Sequence, residues 1–358
     1  MTQREQQILQ LIEADPMISQ QQIADAFGIT RSSAAVHISN LMKKGYIAGK
    51  GYVLGSGSYV AVVGGVNVDI CGRSFLPLVD ADSNPGQVTT SLGGVGRNIA
   101  HNMRLMGLDV QLLTAYGDDL NGERVAASCS QLGIQLRHAQ KIPGGTTSTY
   151  LYLTNPEGEM ALAVSDMSIC DRITPDYLAE NSAVLRNARA VVADANIPAE
   201  SLVWLAENCG VPLFVDPVST TKAKKLIPIL SKIHTLKPNR LETELLTGMK
   251  IHSKADVEAA AKQLLDIGVQ RVFITLGSDG VYAATKEEQL WHDILPGNMV
   301  NTTGCGDSFM AALVWAWTEE LNLSDTAKAG LAAGSITMES QQTIHPGMCA
   351  EAIKSRMK

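Results

Sequence analysis

The motif NTTGCGD occupies residues 301–307 and leads into the apolar run Met310–Trp317, which predicts a buried helix. Glycines at a helix start let several backbone N–H groups converge where the helix dipole favours an anion. Asp307 lies in the predicted first turn, where a carboxylate can accept the proton of a hydroxyl that attacks a phosphoryl group. An acidic residue at a helix N-terminus is also common without such a role, so the motif alone leaves both interpretations open.

Upstream of this motif, short apolar runs alternate with helical stretches. Runs of this kind are typical of a parallel sheet that helices cover on both faces, so we predict an α/β fold. The predicted strands are Tyr59–Val66, Val110–Ala115, Ala190–Ala193, Leu213–Val215, His234–Leu236 and Arg271–Leu276.

Two regions, about 69–91 and 147–165, depart from this rhythm because apolar and polar residues alternate in them. Alternation predicts half-exposed strands. We expect hairpins that project from the main sheet, either as a lid over a site or as a surface for a second copy of the chain.

Composition limits the class of protein. The chain has 358 residues, 45% of them hydrophobic, and a formal net charge of −7. The six cysteines form no C-x-x-C pair, which argues against a zinc site and a disulfide framework. No apolar run approaches the length of about 18 residues that a membrane span needs. We therefore expect a cytoplasmic protein with no membrane association.

The charge is unevenly distributed along the chain. Residues 1–56 hold five Lys and Arg against four Asp and Glu, whereas the remainder holds 24 against 32. The first part is therefore a different kind of module. Gly55-Ser56-Gly57-Ser58 reads as a flexible joint. We predict one domain over residues 1–55, a linker over 56–58 and a second domain over 59–358.

The first module has a helix that ends at Asp15-Pro16, a short helix near Gln20–Phe27 and a third helix that Thr30 caps. Two short β runs follow, Tyr46–Ala48 and Tyr52–Leu54. This order resembles the winged helix-turn-helix DNA-binding modules of bacterial regulators.

In such modules the third helix enters the major groove. Here Ser33, His37, Asn40 and Lys44 follow a helical spacing that predicts one exposed face. A small docking module with a solvated polar face is the alternative. The predicted contacts to base edges are Arg31, Ser32, Ser33 and His37, and those to phosphates are Lys43, Lys44 and Lys50.

The second domain resembles the ribokinase-like (PfkB) family of sugar and nucleoside kinases from about Tyr59 to the C-terminus. The resemblance implies a mostly parallel sheet flanked by helices, with a small β lid. It rests on five motifs in family order: Gly65–Asp69, Gly93–Asn98, Asn239–Glu242, Thr275–Gly280 and Asn301–Asp307.

The resemblance also implies roles for individual residues, with ATP and Mg²⁺ as cofactors. Asp307 is the expected general base, and the amides of Gly304, Cys305 and Gly306 form the anion hole. The acceptor is expected at Asn67, Asp69, Gly93, Gly94 and Asn98, besides Asp307. Magnesium is expected at Asn239 and Glu242. The nucleotide is expected at Asn239, Thr275, Gly277, Gly280, Thr303, Gly304, Gly306 and Ala333.

Two positions depart from the family pattern. Asn301 stands where the family usually has an Asp that helps to bind a monovalent cation, which puts activation by potassium in question. Cys305 stands where Ala is usual. A thiol at a helix N-terminus can have a lowered pKa, so oxidation of Cys305 by peroxide is one hypothesis and an inert small side chain is the alternative.

Within the family, several details are most similar to bacterial pseudouridine kinases: Arg97, Asn301 and the segment Asp216–Ser219 followed by Lys222. This implies transfer of phosphate to the 5′-hydroxyl of a ribonucleoside, pseudouridine above all, with Thr149, Asn196 and Lys222 near the base. A different sugar or ribonucleoside kinase and a ligand-sensing regulator with a kinase fold remain alternatives. A homodimer is expected.

Overall fold

The computed structural model describes residues 2–15, 17–47 and 59–358. Its N-terminal part contains three helices: α1 (Gln3–Ala14), α2 (Gln20–Phe27) and α3 (Arg31–Lys43). Side chains of Thr2, Ser19 and Thr30 cap them, and α2 ends at Gly28 with φ 61°. Ile8, Ile12, Ile23, Ala24, Ala34, Ile38 and Leu41 are among the residues that form their common core. The predicted wing strand Tyr52–Leu54, Lys50 and the linker lie outside the described residues.

The exposed face of α3 differs from the face that the sequence predicts. Lys44, expected at phosphates, donates instead to both carboxylate oxygens of Glu5 on α1, at 2.7 and 2.9 Å. His37 and Asn40 are half-buried, whereas Arg31, Ser32 and Ser33 are exposed. The most exposed stripe is Ser32, Val36, Ser39 and Lys43, one residue earlier than predicted. The pair with Glu5 holds Lys44, the last residue of the predicted face, against α1.

The second part contains fourteen strands in three sheets within the described residues. Strands β1 (Tyr59–Val63), β2 (Asn67–Ser74), β3 (Gly86–Gly93), β4 (Asp109–Leu113), β5 (Ala115–Gly117), β6 (Gln140–Ile142), β7 (Thr149–Thr154), β8 (Met160–Asp166), β9 (Val191–Asp194), β10 (Leu213–Asp216), β11 (Thr235–Leu236), β12 (Arg271–Thr275), β13 (Val281–Ala284) and β14 (Gln289–His292) follow one another.

The main sheet has eight strands in the order β14-β13-β12-β11-β10-β9-β1-β4. The pairs from β12 through to β4 are parallel, and β13 and β14 are antiparallel. Each of the six predicted strands therefore overlaps a strand of this sheet, although Ala115, predicted in the second of them, lies in β5 of the two-stranded sheet. The predicted first strand is shorter than expected: it ends at Val63, and Gly64–Val66 form the turn into β2.

Both faces of this sheet are covered, which explains the continuous apolar runs. In β1, Ala61 and Val63 pack into one core and Val60 and Val62 into another. The helices of the second part are α4 (Val95–Leu105), α5 (Leu120–Gln131), α6 (Pro175–Glu180), α7 (Ser182–Arg186), α8 (Ala199–Asn208), α9 (Thr220–Ala223), α10 (Arg240–Thr247), α11 (Lys254–Ile267), α12 (Cys305–Thr318), α13 (Leu323–Met338) and α14 (Ala350–Arg356).

The two predicted lid segments form a separate four-stranded sheet in the order β3-β2-β7-β8. Strand β2 pairs antiparallel with β3 and parallel with β7, so the two hairpins are joined along their centre. The turn predicted at Asn155–Gly158 connects β7 and β8, where the Asn155 N–H donates to the Glu159 carbonyl at 3.0 Å. Only three residues separate the end of β1 from the start of β2, which places the lid at the carboxyl edge of the parallel strands.

Across the part of the chain that the structure describes, every helix is too short or too polar to cross a membrane.

Candidate active site

The motif over residues 301–307 forms the turn that starts α12. Gly304 is the N-cap residue with φ 86°, and an added Cβ there would overlap the Thr343 carbonyl. Only glycine adopts this conformation without strain and leaves room for that contact. The first-turn amides of α12 are therefore directed towards the carboxyl edge of the sheet, where a helix N-terminus favours an anion.

Asp307 faces the N-terminus of a second helix. The Asn98 Nδ2 atom of α4 donates to Asp307 Oδ2 at 2.8 Å. Burial and the negative charge of Asp216 raise the pKa of Asp307 to about 7, although Asn98 and Lys237 act in the opposite direction. A carboxylate with a pKa near the working pH is suited to general base catalysis.

Asn98 also carries a group suited to a ligand. Its Oδ1 atom is buried and accepts no hydrogen bond from the described residues. A buried acceptor without a partner is costly unless a ligand or water supplies a donor. A hydroxyl group bound beside Asp307 would supply it.

A buried lysine that the sequence prediction missed lies behind the α12 turn. The Lys237 Nζ atom is 3.2 Å from Asp216 Oδ2, and both side chains are less than 8% exposed. Burial alone would lower the pKa of Lys237, but Asp216 and Glu242 outweigh it and raise the pKa. The available signal was a charged residue directly after the buried strand β11.

The polar residues at the root of the lid come together as predicted. Asn67 Nδ2 donates to Asp69 Oδ1 at 2.6 Å, and an added Cβ on Gly93 would overlap the Asp69 carboxylate. Gly94 has φ 97° and begins α4, and a Cβ there would lie 2.5 Å from the Gly65 carbonyl oxygen. The glycines therefore allow the lid strands, the β1 turn and α4 to meet.

Two of the three predicted base-side residues lie together. The Lys222 ammonium donates to the Asn196 Oδ1 atom, and Asn196 approaches Gly65. Burial lowers the pKa of Lys222. Lys222 forms no salt bridge with the described residues, and the nearby charge of Asp194 opposes the effect of burial on its pKa.

The third, Thr149, lies on the lid strand β7. It pairs with Val68 in β2, which lies on the opposite face from Asp69, and its hydroxyl donates to the Thr147 carbonyl at 3.2 Å. The next residue, Tyr150, pairs with Asp69 instead. Tyr152 shares that face, and the two rings are 5.5 Å apart. Sequence reasoning missed both tyrosines, because a one-residue difference in register exchanges the faces of a strand.

A cavity of about 570 Å³ adjoins the α12 turn. Five of the predicted nucleotide residues line it: Asn239, Thr275, Gly277, Gly280 and Gly306. Thr275 donates its N–H to the Pro238 carbonyl at 2.9 Å, which holds it beside Asn239.

Three of the residues predicted at the nucleotide, Thr303, Gly304 and Ala333, are not among those that line this cavity. Ala333 is fully buried in the core between α13 and the sheet, and its neighbours Gly334 and Ser335 line the cavity. Thr303 is an exposed residue outside the cavity, and Thr302 lines it. Ala333 lies in a helix, where consecutive side chains point about 100° apart, so its neighbours face the cavity instead.

Asn239 and Glu242 cap α10 rather than stand free. Asn239 Oδ1 accepts the Glu242 N–H at 2.9 Å, and Glu242 Oε2 accepts the Asn239 N–H at 2.9 Å. Burial raises the pKa of Glu242. Glu242 Oε1 remains for an ion or its water, so the residues fit a magnesium ion that reaches the site with phosphate groups and waters.

Cys305 and Asn301, the two residues that depart from the family pattern, both form hydrogen bonds to backbone carbonyls. Burial and the nearby charge of Asp307 raise the pKa of Cys305 to about 11, and its thiol donates to the Gly334 carbonyl at 3.5 Å. This contradicts a lowered pKa and favours the inert side chain. Asn301 Nδ2 donates to the Gln341 carbonyl at 3.1 Å, so an amide joins the two loops at this point.

Residues 58–348 match the family described as pfkB family carbohydrate kinase, and residues 1–48 match winged helix-turn-helix DNA-binding domains. The chain belongs to the pfkB family of carbohydrate kinases. It is therefore a phosphotransferase that acts on a hydroxyl group of a sugar or nucleoside, with a winged helix-turn-helix module at its N-terminus. The ribokinase-like fold predicted from the sequence is confirmed.

Two relatives and one solved structure are similar to this chain. An uncharacterised sugar kinase of Escherichia coli (strain K12), YeiI, is 39% identical and covers 98% of both chains. The pseudouridine kinase of the same strain is 38% identical over 81% of this chain and 93% of its own. A candidate ribokinase II from Escherichia coli, solved in complex with ATP and Mg²⁺, is 16% identical over 84% and 99%, with a TM-score of 0.73, and shares the fold.

We predict that Asp307→Asn lowers kcat by about 10²–10⁴, because the amide cannot accept a proton. In the unchanged enzyme, kcat/KM should fall as the pH drops below about 7, where Asp307 becomes protonated. Steady-state rates of ADP release between pH 5 and 9 test both statements.

Asp266→Asn is the matched control for this prediction. Asp266 is an exposed carboxylate on α11 that pairs with Lys262 at 2.8 Å, far along the chain from the motif. Its kcat should be unchanged. Near-normal turnover of Asp307→Asn, with the control intact, would contradict the role of Asp307.

Proposed function

We propose that this kinase transfers the γ-phosphoryl group of ATP to the 5′-hydroxyl of a ribonucleoside, most favourably pseudouridine. The observation that carries the proposal is the hydrogen bond from Asn98 to Asp307 at the N-terminus of α12. It joins the residues expected to hold an acceptor to the amides expected to hold a phosphoryl group.

In the proposed reaction Asp307 accepts the proton of the 5′-hydroxyl, whose oxygen forms the new bond to phosphorus as the bond to the leaving ADP breaks. The first-turn amides of α12 stabilise the charge on the transferred group. Asn98 holds the Asp307 carboxylate in position and accepts a hydrogen bond from the acceptor. Magnesium would neutralise phosphate charge beside Glu242.

The choice of pseudouridine rests on two supports. One is the similarity to the Escherichia coli pseudouridine kinase over nearly its whole length. The other is the Lys222–Asn196 pair, because an ammonium and an amide suit the carbonyl and N–H edge of a uracil ring. YeiI is similar over a longer part of this chain, so another sugar or ribonucleoside is the second candidate acceptor.

The deciding experiment compares kcat/KM for ADP release with pseudouridine, uridine, adenosine, guanosine, ribose and fructose. We expect pseudouridine to lead by about tenfold or more, a difference that one or two hydrogen bonds to the base supply. Absence of turnover with every acceptor would favour a sensor that has lost catalysis.

Lys222→Met separates the base contact from the chemistry. It should raise KM for pseudouridine and leave ribose turnover unchanged, because ribose has no base. Lys224→Met is the matched control, since Lys224 is an exposed lysine two residues away. Equal effects of the two changes would contradict a base contact at Lys222.

We also propose that the N-terminal module binds duplex DNA through α3. Arg31, Ser32 and Ser33 are exposed at the start of this helix, where recognition helices contact base edges. Lys43 remains exposed for phosphates, whereas Lys44 is paired with Glu5. The alternative is a docking module for another protein.

Fluorescence anisotropy with the DNA upstream of the protein's own gene, and with a random duplex, tests this proposal. We expect binding that weakens with salt, and Lys43→Ala should reduce the slope of log K against log salt by about 0.9. Lys262→Ala, on the surface of α11, should leave the slope unchanged. No binding to either duplex at low salt would favour the docking module.

A homodimer through the lid completes the proposal. One lid face carries Val88, Leu151, Leu153, Leu162 and Val164, which are 37–70% exposed. Such an apolar sheet face, with Asp166 as its one charged residue in these strands, suits a second copy of itself. Sedimentation equilibrium should report a dimer that Leu162→Asp dissociates, and a monomeric unchanged protein at micromolar concentration would contradict it.

A further inference from the structure

The cavity beside the α12 turn has two chemically different ends. Near the turn its walls are polar or glycine, with Asn239, Thr275 and Thr302 among them. The far end is formed by apolar side chains from α13 and from the segment before the motif, chiefly Leu295, Leu331 and Met338. Phosphates belong at the turn, so the base of the phosphate donor belongs at the apolar end.

Few polar side-chain atoms line this apolar end, and those present are already engaged. The Ser335 hydroxyl donates to the Pro296 carbonyl at 2.8 Å and accepts from Arg356 Nη1 at 2.8 Å. Arg356 is held in turn by both carboxylate oxygens of Glu339, at 3.0 and 3.1 Å. The Cys305 thiol is directed to the Gly334 carbonyl. The described side chains here therefore leave no donor or acceptor to read the polar edge of a purine.

The apolar end is also open to solvent. Ile294 and Met299, which form its outer wall, are 48% and 75% exposed. The polar edge of a bound base can therefore keep its water, whether it carries an amino group or a carbonyl at position 6. The side chains therefore give neither purine a hydrogen bond that the other lacks, so they have little basis for choosing between the two bases.

We propose that the donor pocket selects a purine nucleoside triphosphate by its shape and its phosphates, and that GTP and ITP serve as donors alongside ATP. This inference rests on the proposed kinase function. Sites that hydrogen-bond a substrate group reject an analogue without it by about 10⁴–10⁵, whereas apolar pockets discriminate by about 10² or less. Pyrimidine nucleotides should be poorer donors, because a smaller ring covers less of the apolar wall.

The experiment measures kcat/KM for ATP, GTP, ITP and CTP with the best acceptor of the panel described above. We expect GTP and ITP to lie less than about 100-fold below ATP, and CTP to lie below all three. A loss of about 100-fold or more with GTP, or CTP used as well as ATP, would overturn the inference. Absence of turnover with every donor would instead contradict the kinase proposal, so the two failures are distinguishable.

A variant pair tests the side-chain argument directly. Ser335→Ala should leave the ratio of ATP to GTP efficiency unchanged even if overall activity falls, because the hydroxyl is engaged within the protein. Ser324→Ala is the matched control: Ser324 lies on the same helix and bonds to His292 at 3.0 Å, outside the cavity. A tenfold or larger change in the ratio for Ser335→Ala alone would show that Ser335 reads the base and would overturn the proposal.

Discussion

The hydrogen bond between Asn98 and Asp307 is the contact on which the site depends. It joins the first turns of α4 and α12, two helices that pack on the same face of the main sheet. Each helix begins at a glycine with positive φ, Gly94 and Gly304, that touches the backbone of another loop. Moving either helix by one residue would separate the carboxylate from the acceptor side, so the glycines and the apolar packing of both helices serve one geometry.

This geometry places several carboxylates close together, which is electrostatically unfavourable. Asp194, Asp216, Glu242 and Asp307 lie near one another, and burial raises the pKa of three of them: Asp194, Glu242 and Asp307. The buried ammonium of Lys237 offsets part of this repulsion. A carboxylate whose pKa is about 7 in the folded state costs stability progressively as the pH rises from about 4, its unfolded value, to about 7, because the folded state holds its charge less favourably than water does. The same feature makes Asp307 basic enough to accept a proton.

Much of the fold could be predicted from the sequence because local sequence features determine it. Parallel strands covered on both faces require the continuous apolar runs of β1, β9, β10 and β12, and the α12 turn requires its glycines. The motif residues at these strand ends converge on one edge of the sheet, as the resemblance implied. The domain boundaries at 55 and 59 and the roles of the site residues stay predictions.

The errors arose where a long-range partner or a single step of register decides the outcome. Thr149 and Tyr150 differ by one position, and pairing with β2 determines which of them faces Asp69. Lys44 was assigned to DNA because helical spacing does not reveal Glu5 as its partner. Asn239 and Glu242 cap α10, and Glu242 Oε1 is still compatible with a magnesium ion. The same sequence pattern is therefore typical of both a helix cap and a metal site. Lys237 was missed because its ion-pair partner, Asp216, ends a different strand.

The most direct test is to titrate Asp307 itself. Carboxyl ¹³C chemical shifts of the protein labelled at aspartate, with Asp307→Asn to assign the resonance, report its pKa in the free enzyme. The account predicts a midpoint of about 7 that falls when Asp216 is replaced by Asn, since the Asp216 charge raises it. A midpoint near the ordinary aspartate value of about 4 would contradict the central claim that this carboxylate is held as the base.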